Sequence, residues 1–419
     1  MSEPSFPRPF WVSAVNALGR ALERLGVRPF KLDPESLLEE ARRETGLTDF
    51  GPDGFREGLE LFCSDLEREC ELHPIGRFLA HQEVLTVLVN RLQVHDWIRR
   101  HPEIREQEIR EPLFVTGTPR SGTSILHELL AQDPRHRALL TWETQYPCPP
   151  LGDRTPPDDP RIRRSDRRVK LWPKIVPEYQ TMHEMGGDIP QECIFLTDHD
   201  FKSEHWGGSY NLPNYSLWLV ETDMRPALEY HKLHLQLLQW RSAPRRWVLK
   251  APSHLSYLPA LFDVYPDARL VWTHRDPLAT VSSSTSLVRA LVAIRTDELP
   301  PAAELSAGIA ELSAVRFAEV VAQRDAGEIP EAQICDMLYQ DLMDDPGRTL
   351  ARVYAHFGLE LNRETRESML AYLRAKPQGK HGRHRYTFED TGLDAGEERA
   401  RFASHIARFG IPEEVRADS

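Results

Sequence analysis

The stretch that decides the fold is Leu113-Phe-Val-Thr-Gly-Thr-Pro-Arg-Ser-Gly-Thr-Ser124, which runs directly into an apolar segment at residues 125–130. A β-branched and aromatic run, a glycine-bounded loop and apolar residues at helical spacing predict a strand, a loop and a helix. Gly117 and Gly122 allow the backbone N–H groups of the loop to converge on an anion at the helix N-terminus, where the helix dipole favours negative charge. The sequence therefore predicts a phosphate-binding loop.

One position separates this loop from that of nucleoside triphosphatases. The spacing matches G-x-x-x-x-G-K-[ST], but Thr123 stands where the lysine belongs. In the nucleoside triphosphatases that lysine reaches the β- and γ-phosphates beside Mg²⁺. A loop without it suits a ligand with less charge, and Arg120 supplies a cation of its own. The pattern therefore points away from ATP hydrolysis.

A second strand and loop of this kind lie in the other half of the chain. Ala268-Arg-Leu-Val-Trp-Thr-His274 has the pattern of a buried strand, and Arg275-Asp-Pro-Leu-Ala-Thr-Val-Ser-Ser283 begins the next helix. An arginine at the carboxyl end of a parallel strand and a serine two turns into the following helix can both face the crevice above the sheet. Arg275 and Ser283 therefore suit a second phosphate, away from the first.

Together the two motifs resemble those of the sulfotransferases that use 3′-phosphoadenosine 5′-phosphosulfate (PAPS), in particular a bacterial branch related to the carbohydrate and tyrosylprotein sulfotransferases. The likeness runs from about residue 109 to about residue 408, and Tyr339-Gln-Asp-Leu-Met-Asp-Asp-Pro346 is also similar to that family. The resemblance implies transfer of a sulfuryl group from PAPS to a hydroxyl of a small molecule, lipid or glycan. The product would be adenosine 3′,5′-bisphosphate, and no metal is implied.

Strand and helix patterns alternate along most of the chain, with further strands expected at residues 247–249, 269–274 and 334–339. We expect an α/β fold: a P-loop-like three-layer fold with a central, mostly parallel sheet, whose ligand crevice lies at the carboxyl ends of the strands. Residues 1–110 are expected to form an N-terminal helical cover on the sheet, in one structural unit with a sulfotransferase-like α/β domain at 111–419. The Pro/Arg-rich insertion at 147–170 is either a surface excursion or a lid.

Composition narrows the function classes. The 419 residues are 40% hydrophobic and 28% charged, and the net charge of −12 disfavours general binding to nucleic acid or anionic membranes. The five cysteines lack metal-ligand spacing and are expected to be reduced thiols. No leader pattern or membrane-spanning apolar run is apparent, so we expect a cytoplasmic protein without an integral membrane segment. The sequence leaves the oligomeric state open.

The resemblance assigns most of the donor site. Arg120 is expected to neutralise the charge that builds on the leaving phosphate, a stabilisation that this transfer needs in its transition state. Arg383 and Arg385, in a rearranged version of a basic loop of cytosolic sulfotransferases, are expected to close over the 3′-phosphate. The other expected cofactor contacts are Thr118, Ser121, Gly122, Thr123, Ser124, Arg275 and Ser283.

Three residues compete for the role of general base. His254 follows the strand that ends at Lys250, similar to the Lys-Thr-His segment of cytosolic sulfotransferases, but with two extra residues in between. Glu143 resembles the base of the tyrosylprotein and glycan branches, and Glu192 is a third candidate. A lone histidine or glutamate is also commonly structural, so the sequence does not decide among them. Lys250 is expected to contact the sulfuryl group.

Two other functions fit parts of the sequence. A nucleotide kinase or NTPase would use the same kind of loop, but Thr123 and the second phosphate element argue against it. A catalytically inactive nucleotide-binding protein of the same fold would keep the basic motifs without an acceptor pocket. An acceptor pocket is one interpretation, and core packing another, of the aromatic residues between the motifs: Trp172, Trp206, Tyr210, Tyr215 and Trp218.

Overall fold

A computed structural model describes residues 6–376 and 387–415. Its first elements are α1 (Phe10–Arg24), α2 (Pro34–Thr45), α3 (Arg56–Arg68), α4 (Pro74–Arg100), β1 (Leu113–Gly117), α5 (Thr123–Leu130) and β2 (His136–Ala138). A middle segment, residues 139–240, contains α6 (Thr141–Gln145), α7 (Pro160–Val169), α8 (Trp172–Ile175), α9 (Tyr179–Met182), α10 (Ile194–Thr197), α11 (Glu204–Tyr210), α12 (Pro213–Glu221) and α13 (Arg225–Gln239).

The remaining elements complete the alternation of strands and helices. They are β3 (Arg246–Lys250), α14 (Leu258–Val264), β4 (Arg269–His274), α15 (Pro277–Ala293), α16 (Ala302–Asp325), β5 (Ile334–Leu338), α17 (Tyr339–Asp344), α18 (Pro346–His356), α19 (Arg363–Ala375), α20 (Ala395–Arg401) and α21 (Ala403–Phe409). Short 3₁₀ turns lie at Asp53–Phe55, Pro102–Glu106, Gly152–Arg154, Asp198–Asp200, Pro252–Tyr257, Glu331–Gln333 and Glu389–Thr391.

The strands form one sheet in the order β2-β3-β1-β4-β5, and every neighbouring pair is parallel. Central β1 pairs Leu113 with Val248 on one side and with Arg269 on the other. The chain leaves β1 toward one edge of the sheet and leaves β4 toward the other. The crevice of such a sheet opens at this switch point, above the carboxyl ends of the strands. The two predicted phosphate elements, which follow β1 and β4, therefore begin side by side.

Successive strand residues face opposite layers, as the pleat of a strand requires. Phe114, Leu249 and Trp272 belong to an apolar cluster with residues of α13 to α16, whereas Leu113 and Val115 belong to another with residues of α5, α18 and α19. Burial of each large apolar side chain stabilises the fold by about 1.5–3 kcal/mol. The predicted three-layer α/β fold with a parallel sheet is confirmed.

The N-terminal helices pack mainly on the middle segment. Residues of α2, α3 and α4 share an apolar cluster with Phe201, Trp206 and Tyr215, and Val94 and Ile98 of α4 pack in a cluster with residues of α13. Within the described ranges, neither cluster that flanks the sheet contains a residue of α1 to α4. The N-terminal helices therefore contact α13, and α13 in turn packs on one face of the sheet.

Arginines of the Pro/Arg-rich segment pack on aromatic rings. The Arg161 guanidinium lies 4.6 Å from the Trp142 ring centroid, and that of Arg164 lies 4.5 Å from the Tyr146 ring centroid. Arg168 donates to Thr86 Oγ1 on α4 at 2.5 Å. These contacts fix α7 against α4 and α6. No helix in the described ranges has the length and apolar character to cross a membrane.

Candidate active site

The loop between β1 and α5 is held by two glycines at its ends. Gly117 has φ 146° and Gly122 has φ 89°, both in the region that favours glycine. A Cβ at Gly117 would lie 2.3 Å from Thr273 Oγ1, and one at Gly122 would lie 2.7 Å from the Tyr339 ring. Any side chain at either position would force its neighbour to move. The backbone conformation and the close packing of this loop therefore both require glycine.

The hydroxyl groups of the loop have different surroundings. Ser121 is fully buried, and its Oγ donates to the Thr118 carbonyl at 2.7 Å and lies 2.6 Å from Thr273 Oγ1. Thr123 is buried at the first position of α5, whereas Ser124 is exposed. No described side chain caps this helix, so its first backbone N–H groups remain available to an anion. Ser121 thus fastens the loop to β4, and the start of α5 faces the crevice.

Arg120 connects the two predicted phosphate elements. It adopts φ 70°, a left-handed conformation that costs roughly 1 kcal/mol in a residue with a side chain. Its Nε donates to Ser283 Oγ at 3.1 Å, and its Nη1 donates to the Met182 carbonyl at 2.9 Å. The guanidinium group therefore lies between the loop and the serine of the second motif.

Arg275, the arginine of the second motif, also contacts Arg120. Its Nη1 donates to the Arg120 carbonyl at 2.7 Å, and its guanidinium lies 4.3 Å from the Tyr339 ring centroid. Its Nε and Nη2 donate to the two carboxylate oxygens of Glu414 at 2.8 and 2.6 Å. This two-pronged geometry also suits recognition of a phosphate. In this structure Arg275 binds the carboxylate of Glu414 in this way.

Lys250 and Glu192 form a buried ion pair at the carboxyl end of β3. Lys250 ends β3, its Nζ pairs with Glu192, and it also donates to Ser124 Oγ at 3.2 Å. The Cys193 N–H donates to the Lys250 carbonyl at 2.8 Å, which holds Glu192 beside the strand. The Lys250 side chain is 4% exposed and that of Glu192 is 16% exposed, so the carboxylate keeps some contact with solvent. An ammonium and a carboxylate therefore stand together at the start of α5.

The α9 region contacts this site, and no motif in the sequence indicated it. The Met182 carbonyl accepts from Arg120, and the His183 ring stacks on Tyr179. Burial lowers the pKa of His183; the charge of Lys250 also lowers it, and that of Glu192 raises it. His183 is therefore close to the charged groups of the site. A short helix with mixed polar and apolar residues gives no periodic signal from which this placement could be predicted.

The structure places His254 in the apolar core. Both ring nitrogens lack a partner among the described residues. The ring meets Phe114 edge-on at 5.1 Å and Tyr257 at 5.7 Å. Burial, together with the charges of His231 and Lys250, holds the pKa of His254 well below its usual range. The ring is thus a neutral group packed against the strand that carries the loop.

Glu143 is also buried, and both of its oxygens have partners. Oε1 accepts from Arg137 at 2.6 Å, and Oε2 accepts from the Leu140 N–H at 3.0 Å, which closes the start of α6. This geometry accounts for the carboxylate as a helix cap and ion-pair partner. The two other expected contacts, Arg383 and Arg385, lie outside the described residues.

Comparison with known proteins identifies the class. A model described as the sulfotransferase family matches residues 112–363. The chain belongs to the sulfotransferase family. It is 27% identical over 259 residues to a Mycobacterium bovis protein named omega-hydroxy-beta-dihydromenaquinone-9 sulfotransferase Stf3, covering 59% of this chain and 63% of that protein. The match therefore spans less than two thirds of that relative's length.

Two solved structures are similar over almost the whole fold. The crystal structure of sulfotransferase STF9 from Mycobacterium avium has a TM-score of 0.82 and 31% identity, covering 91% of this chain and 98% of that chain. That of sulfotransferase STF1 from Mycobacterium tuberculosis has a TM-score of 0.78 and 31% identity, covering 90% and 100%. The resemblance inferred from the two motifs is confirmed at the level of family and fold.

Proposed function

We propose that this protein transfers a sulfuryl group from PAPS to a hydroxyl group of an acceptor and releases adenosine 3′,5′-bisphosphate. The observation that carries the proposal is the contact of Arg120 with Ser283, which joins the loop after β1 to the helix after β4. A donor with phosphates at both its 5′ and 3′ positions needs two anion sites at one end of a sheet. A nucleoside triphosphate, with one run of phosphates, does not.

The 5′-phosphosulfate would bind at the start of α5. Backbone N–H groups at the start of α5 and the hydroxyls of Thr123 and Ser124 supply donors there. Lys250, which donates to Ser124, adds a positive charge at the same place. The 3′-phosphate would bind Arg275 and Ser283 and displace Glu414 from Arg275. Arg383 and Arg385 remain proposed contacts of that phosphate.

In the proposed reaction the acceptor oxygen attacks sulfur and forms the new S–O bond. The bond between sulfur and the bridging oxygen of the 5′-phosphate breaks, and its electron pair stays on the phosphate. The acceptor proton passes to a base. Arg120 and Lys250 would neutralise the charge on the leaving phosphate and on the sulfuryl oxygens.

The geometry favours Glu192 as the base over the two candidates that the sequence placed first. Glu192 pairs with Lys250 at the loop and is partly accessible, whereas Glu143 closes its own helix and His254 packs in the core. A general base must lie within hydrogen-bond reach of the proton that it removes. Glu192 meets this condition for an acceptor beside Lys250.

The acceptor is proposed to be a hydroxyl-bearing small molecule or lipid, with a glycan as the broader alternative. The name of the mycobacterial relative describes a hydroxylated dihydromenaquinone as its substrate. The middle segment of this chain has buried aromatic residues, among them Trp172 and Tyr179, which fit an acceptor with an apolar body.

The proposed function is tested by binding and then by transfer. Thermal shift should show stabilisation by adenosine 3′,5′-bisphosphate and little effect of ATP with Mg²⁺. Transfer of ³⁵S from labelled PAPS to a library of alcohols and phenols should then persist in EDTA. Stabilisation by ATP with Mg²⁺ alone would favour the kinase alternative, and bisphosphate binding without transfer to any acceptor would favour an inactive nucleotide-binding protein.

A further inference from the structure

A cavity in the middle segment lies beside α10 and contains about 480 Å³ of empty space, including its open mouth. Val87 of α4, Trp172 of α8, Phe195 of α10 and Trp206 of α11 are among its lining residues. We call it the α10 cavity. Its walls are aromatic and aliphatic, which suits the flat or elongated body of an apolar ligand.

The same cavity has polar atoms that the protein leaves unpaired. Gln145 Oε1, Asp198 Oδ1, His205 Nε2 and Trp206 Nε1 are buried and have no hydrogen-bond partner among the described residues. Each buried polar atom without a partner costs roughly 1–3 kcal/mol. Four residues that line one cavity thus each carry an unpaired polar atom, which favours a ligand with a polar group.

Asp198 and His205, which both line this cavity, form a hydrogen-bonded pair. His205 Nδ1 lies 2.8 Å from Asp198 Oδ2. A carboxylate at Nδ1 fixes the proton on that nitrogen and leaves Nε2 as a hydrogen-bond acceptor. His205 Nε2, Asp198 Oδ1 and Gln145 Oε1 accept hydrogen bonds, and Trp206 Nε1 donates one. A hydroxyl group, which donates one and accepts others, fits this set. The charged residues Glu83 and Arg168 also line the cavity, and they have partners in Arg295 and Thr86, so a neutral ligand fits it.

The α10 cavity is close to the proposed reaction centre. α10 begins two residues after Glu192, and Asp198 directly follows its end. At a helical rise of about 1.5 Å per residue, the backbone from residue 192 to residue 198 spans ~9 Å. Tyr179 is near both the cavity and Glu192. Its ring centroid is 5.8 Å from that of Trp172, which lines the cavity. Burial raises the pKa of Tyr179, and the charges of Arg295 and Glu192 are smaller influences on it.

We propose that the α10 cavity is the acceptor subsite of the sulfuryl transfer, and this inference rests on the proposed function. The acceptor is a neutral molecule with an aromatic or apolar body and a polar group at each end. One hydroxyl reaches Glu192 and is sulfated. A second hydroxyl binds His205 and Trp206, so that His205 is a specificity-determining residue and not the base.

The test uses the full chain, with 2-naphthol and 2-methoxynaphthalene as probes of the same shape with and without an O–H donor. Calorimetric titration of protein saturated with adenosine 3′,5′-bisphosphate should show roughly three- to tenfold tighter binding of 2-naphthol, the value of one hydrogen bond. His205→Ala should remove this preference. His405→Ala, at a buried histidine stacked on Phe317 in another part of the molecule, should retain it.

Asp198→Asn, which keeps the shape of the side chain, serves as a second variant if His205→Ala does not fold. It should reduce the preference for 2-naphthol, because an amide no longer fixes the histidine proton. A crystal structure with 2-naphthol should show its oxygen at His205 Nε2. Equal binding of both probes by the wild type, no binding of either probe, or density elsewhere would overturn the proposal.

The two proposals fail in different measurements. If adenosine 3′,5′-bisphosphate does not bind the wild type, the donor assignment fails, and titration of nucleotide-free protein still decides whether the cavity binds the alcohol. If the bisphosphate binds and the cavity prefers neither probe, the acceptor subsite fails and the donor assignment stands.

Discussion

The carboxyl ends of the strands and the middle segment are held together in different ways. At the carboxyl ends of the strands, parallel pairing fixes β1 against β4, and a tight backbone turn at Gly117 and Gly122 shapes the loop. The middle segment consists of short helices that buried side-chain pairs hold in place, such as Asp200 with Arg91 of α4 and His205 with Asp198. A backbone site recognises a phosphate whatever molecule carries it, whereas side-chain contacts select one shape. The loop at the carboxyl ends of the strands thus suits a donor that many enzymes share. The middle segment suits an individual acceptor.

Replacing the proposed base should have the largest effect. Glu192→Gln should reduce turnover about 10²–10⁴-fold, the usual contribution of general base catalysis. Glu143→Gln and His254→Phe should retain most of their turnover per folded molecule, because their side chains support the fold. The measurement is single-turnover ³⁵S transfer, normalised to protein that binds adenosine 3′,5′-bisphosphate. Full activity of Glu192→Gln with loss of activity in either control would assign the base to that control instead.

Arg120→Ala should have the next largest effect. The guanidinium touches Ser283 and can reach the leaving phosphate, so its loss should lower kcat about 10²–10³-fold, as for other donors to developing charge. Binding of the bisphosphate should weaken less than tenfold, because Arg275 and Ser283 remain. Arg120→Lys, which keeps the charge but loses the fork, should be intermediate. Near-native kcat in Arg120→Ala would show that the leaving group is not next to this loop.

The sheet itself should respond to acid through Asp336. Although burial raises it, hydrogen bonds from His274 and Arg324 lower the pKa of Asp336 to about 2, below the ordinary value of 3.8. A depressed carboxyl pKa contributes stability above the unfolded value and loses it as the pH falls from about 4 toward 2. Asp336→Asn should therefore destabilise the protein by about 1–2 kcal/mol at pH 7 and by less at pH 3. Urea unfolding at the two pH values measures this difference, and equal losses would contradict it.

The smallest expected effect concerns the carboxylate that pairs with Arg275. Glu414→Gln should increase the affinity for adenosine 3′,5′-bisphosphate roughly two- to fivefold, because a partly exposed ion pair is worth about 0.2–1 kcal/mol. Glu413→Gln makes the same change of charge at an exposed neighbour and should leave the affinity nearly unchanged. Equal gains in both variants would point to net charge and not to competition for Arg275.

The sequence predicted the strands and loops at the carboxyl end of the sheet well, because strand patterns and glycine positions are local signals. The strand at 269–274 and the helix after it are where they were predicted. Gly117 of the loop has a backbone conformation and a close contact that require glycine. The three-residue β2 is too short to show a period. Long helices α13 and α16 were not predicted, although α13 is regular and largely buried.

Side-chain pairing could not be predicted in the same way. The pairing of Glu192 with Lys250, and of Glu143 with Arg137, depends on how distant segments pack. A sequence shows a glutamate without showing which cation it meets. His254 follows its strand as in related enzymes, but the structure turns its ring toward Phe114. The sequence therefore leaves the base open among three residues, and the proposal of Glu192 rests on the packing.

The measurement that tests the central claim most directly compares two nucleotides that differ only in the 3′-phosphate. Calorimetric titration of the wild type should show that adenosine 3′,5′-bisphosphate binds roughly ten- to a hundredfold more tightly than 5′-AMP, since a charge-assisted contact is worth about 1.5–3 kcal/mol. Arg275→Ala should remove most of that difference and leave the affinity for 5′-AMP unchanged. Equal affinity of the wild type for the two nucleotides would contradict the two-phosphate donor site.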